Sequence, residues 1–310
     1  MPVAVSVDKL SKRFGSVTAA AGVSFTIEAG EIFGIVGPNG AGKTTILECI
    51  EGLRRPDEGR VRVLGLDPWV DRFELRERIG VQLQTAALPE HIRVGEAVAL
   101  FADLYRRRGD PVAALRRVGL DDRRDATVAH LSGGQRQRLF IGLALVHGPD
   151  VVFLDELTTG LDPQARRDAW SLVRDIRDRG ATVVLTTHFM EEAERLCDRV
   201  AIVDRGRVVA LDSIGRLIAS LGEERRVAFT HLGAIDEAAL LALPGVVRVE
   251  RLGDRVVVSV RGTGTAWRVT TALEESGVAF DGLRFERPTL EDVFLARTGT
   301  PLADAVEPVV

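Results

Sequence analysis

Gly37-Pro38-Asn39-Gly40-Ala41-Gly42-Lys43-Thr44 follows the apolar run Ile32-Phe33-Gly34-Ile35-Val36 and leads into Thr45-Ile46-Leu47-Glu48-Cys49-Ile50. The octet satisfies G-x-x-x-x-G-K-[ST] in full. It lies between a predicted strand and a predicted helix, where that pattern has a physical meaning. Glycines let the backbone close around phosphate oxygens, and the amides at the helix start offer donors and the positive end of the dipole. Lys43 reaches the terminal phosphates, and the Thr44 hydroxyl binds Mg²⁺. Lysine occurs only at Lys9, Lys12 and Lys43 in a chain rich in arginine. A compact ammonium fits in such a loop where a planar guanidinium would crowd.

Two further segments place polar groups at strand ends. Val151-Val152-Phe153-Leu154 is a buried strand that ends in Asp155 and Glu156. In open α/β sheets, ligands sit at the carboxyl ends of strands. Asp155 suits a direct or indirect contact to Mg²⁺, and Glu156, pointing elsewhere, can polarise an attacking water. Val183-Val184-Leu185-Thr186-Thr187-His188 repeats the arrangement, which puts His188 on the same sheet edge as a phosphate sensor. Leu131-Ser132-Gly133-Gly134-Gln135 opens a helix with Leu139, Phe140, Leu143 and Ala144 as its apolar stripe. Ser132 is a good N-cap, and the glycines expose amides at a second helix start.

Together these residues resemble the ATP-binding subunit of ABC transporters over about residues 3–215. The matching parts are a Walker A loop (Gly37–Thr45, including Thr45), a signature (Leu131–Gln135), a Walker B strand (Val151–Asp155) followed by Glu156, a D-loop (Gly160-Leu161-Asp162) and a switch His188. Gln84 stands where that family has its Q-loop glutamine, with Gln82 as the nearby alternative. Phe14 stands where the family stacks an aromatic ring on adenine. Leu157 departs from the family, most members of which have Pro there, and the change leaves both carboxylates in place. Pro288-Thr289-Leu290-Glu291-Asp292-Val293-Phe294-Leu295 resembles the C-terminal extension of daunorubicin-resistance-type drug exporter ATPases.

The resemblance implies an α/β P-loop NTPase of ABC type. Such a fold has a mainly parallel sheet core with an antiparallel β subdomain and a helical insertion, here followed by a small α+β C-terminal domain. It implies ATP and Mg²⁺ as ligands and two ATPase domains packed head to tail. The partner is then a second copy of this chain or a similar ATPase chain. Each ATP would lie between the Walker A loop of one domain and the Ser132, Gly133, Gly134 and Gln135 signature of the other. Ser132 and Gly134 would contact the γ-phosphate in trans. Asp162 joins the nucleotide-binding set, Thr44, Gln84 and Asp155 the metal set, and Lys43, Gln84, Glu156 and His188 the catalytic set.

Composition bounds the rest. The chain has 310 residues, 45% hydrophobic and 28% charged, enough for one large domain and a smaller one. The expected division is 1–220 for the ATPase, with its helical part at about 85–148, then 221–300 for an accessory domain and 301–310 for a loose tail. The Arg106-Arg107-Arg108 run reads as a solvated helix face. No run approaches the ~20 apolar residues of a membrane helix, and the N-terminus has no signal-peptide pattern. Cys49 and Cys197 have neither disulfide-framework nor metal-ligand spacing and read as core residues. The expectation is a cytoplasmic protein, peripheral on the inner face of the membrane through a separate multi-span permease. The contrasting reading is an ABC ATPase acting on nucleic acid or ribosomes. A net charge of −4, with no strongly basic segment, leaves nucleic acid unexpected.

Overall fold

The computed structural model describes residues 2–106, 109–222, 224–231, 235–262, 264–277 and 279–300. Arg107, Arg108 and the 301–310 tail lie outside them. The chain forms two compact units, one running up to Ile214 and the other spanning Gly215–Gly299. The division falls shortly before the 220/221 boundary read from the sequence, because helix α8 (Ile214–Ala219) follows directly from strand β9 (Arg207–Ser213).

In the first unit, β1 (Val3–Phe14) and β2 (Val17–Glu28) form a long antiparallel hairpin, and β4 (Glu58–Val63) adds to β1. The sequence suggests only Val3–Val7 and Val23–Ile27. Register shifts around Lys9, which has φ +50°, interrupt the two-residue alternation, so the outer half of the hairpin does not read as strand. The central sheet takes β3 (Ile32–Val36), β5 (Ile79–Gln82), β6 (Val151–Asp155), β7 (Thr182–Thr187), β8 (Arg199–Asp204) and β9 in the order β5-β6-β7-β3-β8-β9. Its pairs are parallel except β8–β9. Strands β3, β6 and β7 are buried at every residue, as expected for parallel strands covered on both faces.

Helix α1 (Lys43–Ile50) packs between the two sheets, and its Ile46, Leu47 and Ile50 join a core with Phe25, Phe33, Ile35, Phe153 and Val184. Phe25 and Phe33 stack with ring centroids 5.2 Å apart. Between β4 and β6 lie α2 (Arg72–Arg76), α3 (Val94–Asp103), α4 (Pro111–Arg117) and α5 (Gly133–Leu145). Leu115 and Val118 are buried, whereas Leu100 and Leu104 stay exposed. Helix α6 (Pro163–Asp178) buries Ala169, Trp170, Val173 and Ile176 at helical spacing. The Trp170 indole donates to Glu192 of α7 (Met190–Leu196) at 3.0 Å. Cys49 and Cys197 are both free and buried.

The second unit runs β10 (Glu224–His231), α9 (Glu237–Leu241), β11 (Val246–Leu252), β12 (Arg255–Arg261), α10 (Thr265–Glu275), β13 (Phe280–Glu286) and α11 (Leu290–Thr298). Its antiparallel order β11-β12-β10-β13 makes it a βαββαβ split unit of ferredoxin-like topology. Val227, Phe229, Val256, Val258 and Val260 face Leu240, Val269 and Leu273 in a core of their own. The sequence places Pro288 in the first turn of the last helix. The helix starts later, at Leu290, because Thr289 is the N-cap and its amide donates to the Asp292 carboxylate at 2.8 Å.

Candidate functional site

Parallel pairing gathers the site at one sheet edge. Strand β3 runs straight into the Gly37 loop, and Gly37 N donates to Thr187 O at the end of neighbouring β7. The loop needs its glycines for definite reasons. A Cβ on Gly37 would sit 2.1 Å from Val203 O, and one on Gly42 would sit 2.0 Å from Ala19 O. Gly42 also has φ +98°, in the left-handed region. Pro38 and Ala41 are buried, Asn39 and Gly40 are exposed, and Thr44 and Thr45 are half-buried at the start of α1.

Lys43 is 4% exposed. Its ammonium donates to Pro38 O at 2.8 Å and lies 3.9 Å from Glu156 Oε1. Burial lowers its pKa, while the charges of Glu156 and Asp155 pull the other way. The loop therefore holds a desolvated cation with unspent hydrogen-bonding capacity, which suits a phosphate.

Asp155 ends β6 directly opposite Thr186 of β7, whose hydroxyl donates to Asp155 Oδ1. Thr44 Oγ1 donates to the same oxygen at 3.4 Å. Burial raises the Asp155 carboxyl, opposed chiefly by the Thr186 hydroxyl. Glu156 has φ +47°, a conformation costing about 1–2 kcal/mol for an L residue. Its amide is held by Thr186, 3.2 Å from the carbonyl oxygen and 3.1 Å from the hydroxyl. The turn takes its carboxylate to Lys43, to Gln84 Nε2 at 3.2 Å, to Thr159 Oγ1 at 3.3 Å and to His188 Nδ1 at 3.4 Å. Gln82 is buried in β5 with its amide on Leu83 O at 2.7 Å, so of the two glutamines Gln84 is the one on Glu156. Leu157 is buried and leaves this arrangement intact.

The structure brings together Lys43, Thr44, Gln84, Asp155, Glu156 and His188. Phe14 lies at the tip of the β1–β2 hairpin, 42% exposed, with the Arg54 guanidinium 4.9 Å from its ring. Ser132 caps α5, accepting from Gln135 N at 3.2 Å, while its own amide donates to Gln135 Oε1 at 3.0 Å. Such a capping box contributes about 1 kcal/mol and fixes the helix start. Ser132 and Gly133 are exposed, and Gly134 and Gln135 half-buried. Asp162 caps α6, accepting from Gln164 N and Ala165 N, both at 2.9 Å. Sequence reasoning misses Thr159 and Thr186. Thr186 is one of three threonines in β7, so its hydroxyl alone does not mark it out, and only the pairing with β6 does.

A family model described as ABC transporter matches residues 20–159. A daunorubicin resistance ATP-binding protein of Streptomyces coeruleorubidus is 40% identical over 304 residues, covering 96% of each chain. The chain belongs to the ABC transporter ATP-binding family. A Nod factor export ATP-binding protein of Ralstonia nicotianae is 38% identical over 97% of this chain and 95% of its own. Among solved structures, an ATP-binding subunit of an ABC transporter superposes with a TM-score of 0.63 at 29% identity, over 70% of this chain and 93% of that one. A dimeric ATP-binding cassette bound to ADP and phosphate gives 0.61 at 28% identity, over 67% and 98%. As a member of this family, the chain binds ATP.

The loop geometry makes a graded prediction for this ABC chain. Gly42→Ala combines backbone strain with a collision against Ala19 O, and its ATP affinity is expected to fall about tenfold or more. Gly40→Ala, with φ +79° but nothing within 4 Å of its Cβ, incurs strain alone and is expected to lose less. Titration with a fluorescent ATP analogue checks the order. Equal losses would show that the contact with the hairpin is irrelevant.

Proposed function

We propose that this chain hydrolyses ATP as one of two cassettes in a head-to-tail dimer and so powers a separate membrane permease that exports an amphipathic compound. The observation that carries the reading is the convergence of Lys43, Gln84, His188 and Asp155 around Glu156 at the carboxyl edge of the parallel sheet. Lys43 and the loop amides bind the phosphates. Glu156 orients the attacking water and accepts its proton. Gln84 holds the Glu156 carboxylate, and His188, 3.4 Å from it, meets the γ-phosphate. Exposed Ser132 and Gly133, with Gly134, clamp the nucleotide of the second chain, where charge spreads during transfer.

The Thr44 hydroxyl and Asp155 carboxylate converge as an oxygen donor pair, which fits Mg²⁺. Among the described residues no cluster of three or more His, Cys, Asp or Glu could hold a metal by itself, so Thr44 and Asp155 would hold Mg²⁺ together with phosphate and water oxygens. When bound, the ion supplies charge neutralisation at the terminal phosphates.

Among the described residues no helix is long and apolar enough to cross a membrane, so a partner supplies the pathway. Leu100 and Leu104 lie four residues apart and are 53% and 67% exposed. Together with exposed Leu83 and the 85–88 segment, they are the candidate contacts for a cytoplasmic helix of the permease. The relatives named for daunorubicin resistance and Nod factor export support an amphipathic cargo. On this reading the chain works at the inner face of the membrane, held there through its permease.

The test is to pull the chain from gently solubilised native membranes with ATP present. A multi-span protein in stoichiometric amount is the expected companion. Recovery with ribosomes, with nucleic acid or alone overturns the transporter part and leaves the ATPase part to a phosphate-release assay.

A further inference from the structure

We infer that Arg166 and Phe189 are positioning residues that hold the switch histidine and link it to the signature helix of the same chain. The inference rests on the role proposed above for His188 and extends it to groups outside the nucleotide site. His188 Nδ1 lies 3.4 Å from Glu156 Oε1 but makes no hydrogen bond, so hydrogen bonding at that nitrogen does not fix the imidazole. A stack does. The Phe189 ring centroid is 4.0 Å from that of His188 at an interplanar angle of 41°. The Phe189 amide is pinned to Thr187 Oγ1 at 3.0 Å, which fixes where the ring can lie. Over Phe189 lies the Arg166 guanidinium, 4.8 Å from the ring centroid. Arg166 Nε is buried and makes no hydrogen bond. A planar cation with a buried, unpaired Nε is held there by the ring face.

The other end of this stack reaches the signature. Arg166 follows Ala165 in the first turns of α6, the helix that Asp162 caps. Ala165 packs against Gly134 of α5. A Cβ on Gly134 would sit 2.8 Å from Ala165 Cβ, so the two helix starts touch with no side chain between them. The series runs Gly134, Ala165-Arg166, Phe189-His188, Glu156. In a head-to-tail dimer, Gly134 serves the partner's nucleotide while His188 and Glu156 serve the chain's own. Packed side chains transmit displacement because they cannot compress. Closure of the signature on one ATP then shifts α6 and, through Arg166 and Phe189, the imidazole at the other. The stack thus provides a physical link between the two sites, with its energy carried by contacts within one chain.

The experiment measures ATP turnover, ATP affinity and the Hill coefficient for a set of variants, each checked for an unchanged melting transition. Phe189→Ala is expected to lose about tenfold to 100-fold in kcat, the scale for a misplaced reacting group, with affinity within about twofold of wild type. Phe189→Tyr keeps the ring and restores kcat. Arg166→Ala is expected to drive the Hill coefficient towards 1, and Arg166→Lys, with no planar face to stack, does not restore it. If Phe189→Ala unfolds the protein, Phe189→Leu substitutes for it. The deciding comparison is the double variant: Phe189→Ala in a His188→Ala background is expected to add nothing. Additive losses, wild-type kcat in Phe189→Ala, or unchanged cooperativity in Arg166→Ala overturn the inference alone. A His188→Ala variant with wild-type turnover overturns the role of His188 itself, and the inference with it.

Discussion

Glu156→Gln is expected to lower ATP hydrolysis by about 10²–10⁴-fold while nucleotide binding survives. The glutamine has nearly the same shape and can occupy the same left-handed backbone position, and it still offers an oxygen to the Thr159 hydroxyl and to Gln84. It removes two things, the proton acceptor and the negative charge 3.9 Å from Lys43. Loss of the acceptor stops the chemical step. Loss of the charge lifts a repulsion that an incoming γ-phosphate would otherwise meet, so affinity holds or improves. With ATP bound and not turned over, two cassettes are expected to stay closed on one another, since a ligand that favours one state accumulates that state. Phosphate release, measured beside the ATP-dependent shift of the protein to a dimer on size exclusion, checks both halves. Turnover within about tenfold of wild type would move the base to another group, because positioned proton transfer contributes at least ~10².

Glu156 is legible in the amino-acid sequence for a local reason. Asp155 and Glu156 end an apolar run, and Gly37–Thr44 is contiguous, so each motif carries its own context along the chain. What pairing decides is less legible. Thr186 acts on Asp155 only because β6 and β7 lie side by side in a register that sets the two residues opposite each other. Nothing within either strand states that register. The same holds for Gln82 and Gln84, two residues apart and chemically identical, which separate only when β5 buries one and the loop after it lets the other reach Glu156. The β1–β2 hairpin reads too short because its bulges near Lys9 break the alternation that signals a strand. In the C-terminal unit most individual strands are visible as β-branched runs. Their order is not, since β10 lies between β12 and β13 through long-range pairing. The Arg166–Phe189 stack is hidden for a similar cause: it joins α6 to the start of α7 across the sheet edge.

Lys43→Ala is expected to raise the ATP dissociation constant about tenfold to 100-fold, the equivalent of losing one charge-assisted hydrogen bond of ~1.5–3 kcal/mol. The ammonium is already stripped of water and has spent one donor on Pro38 O, so the rest of its capacity is directed at the ligand. Lys43→Arg is not expected to restore affinity, because the planar group needs more room than the loop around Pro38 and Ala41 gives. The ligand-free variant makes a separate demand on stability. In the intact chain burial and the Glu156 charge raise the Asp155 carboxyl, and Lys43 opposes them. Without the lysine that carboxyl rises further. A folded acid whose pKa exceeds its unfolded value binds more protons when folded, so stability is lost as pH rises from the ordinary carboxylate value through the raised one. Melting curves of the variant are therefore expected to fall more steeply with pH over that window than those of the intact chain. A dissociation constant unchanged within about twofold, worth under ~0.5 kcal/mol, would remove Lys43 from the nucleotide site whatever the melting curves show.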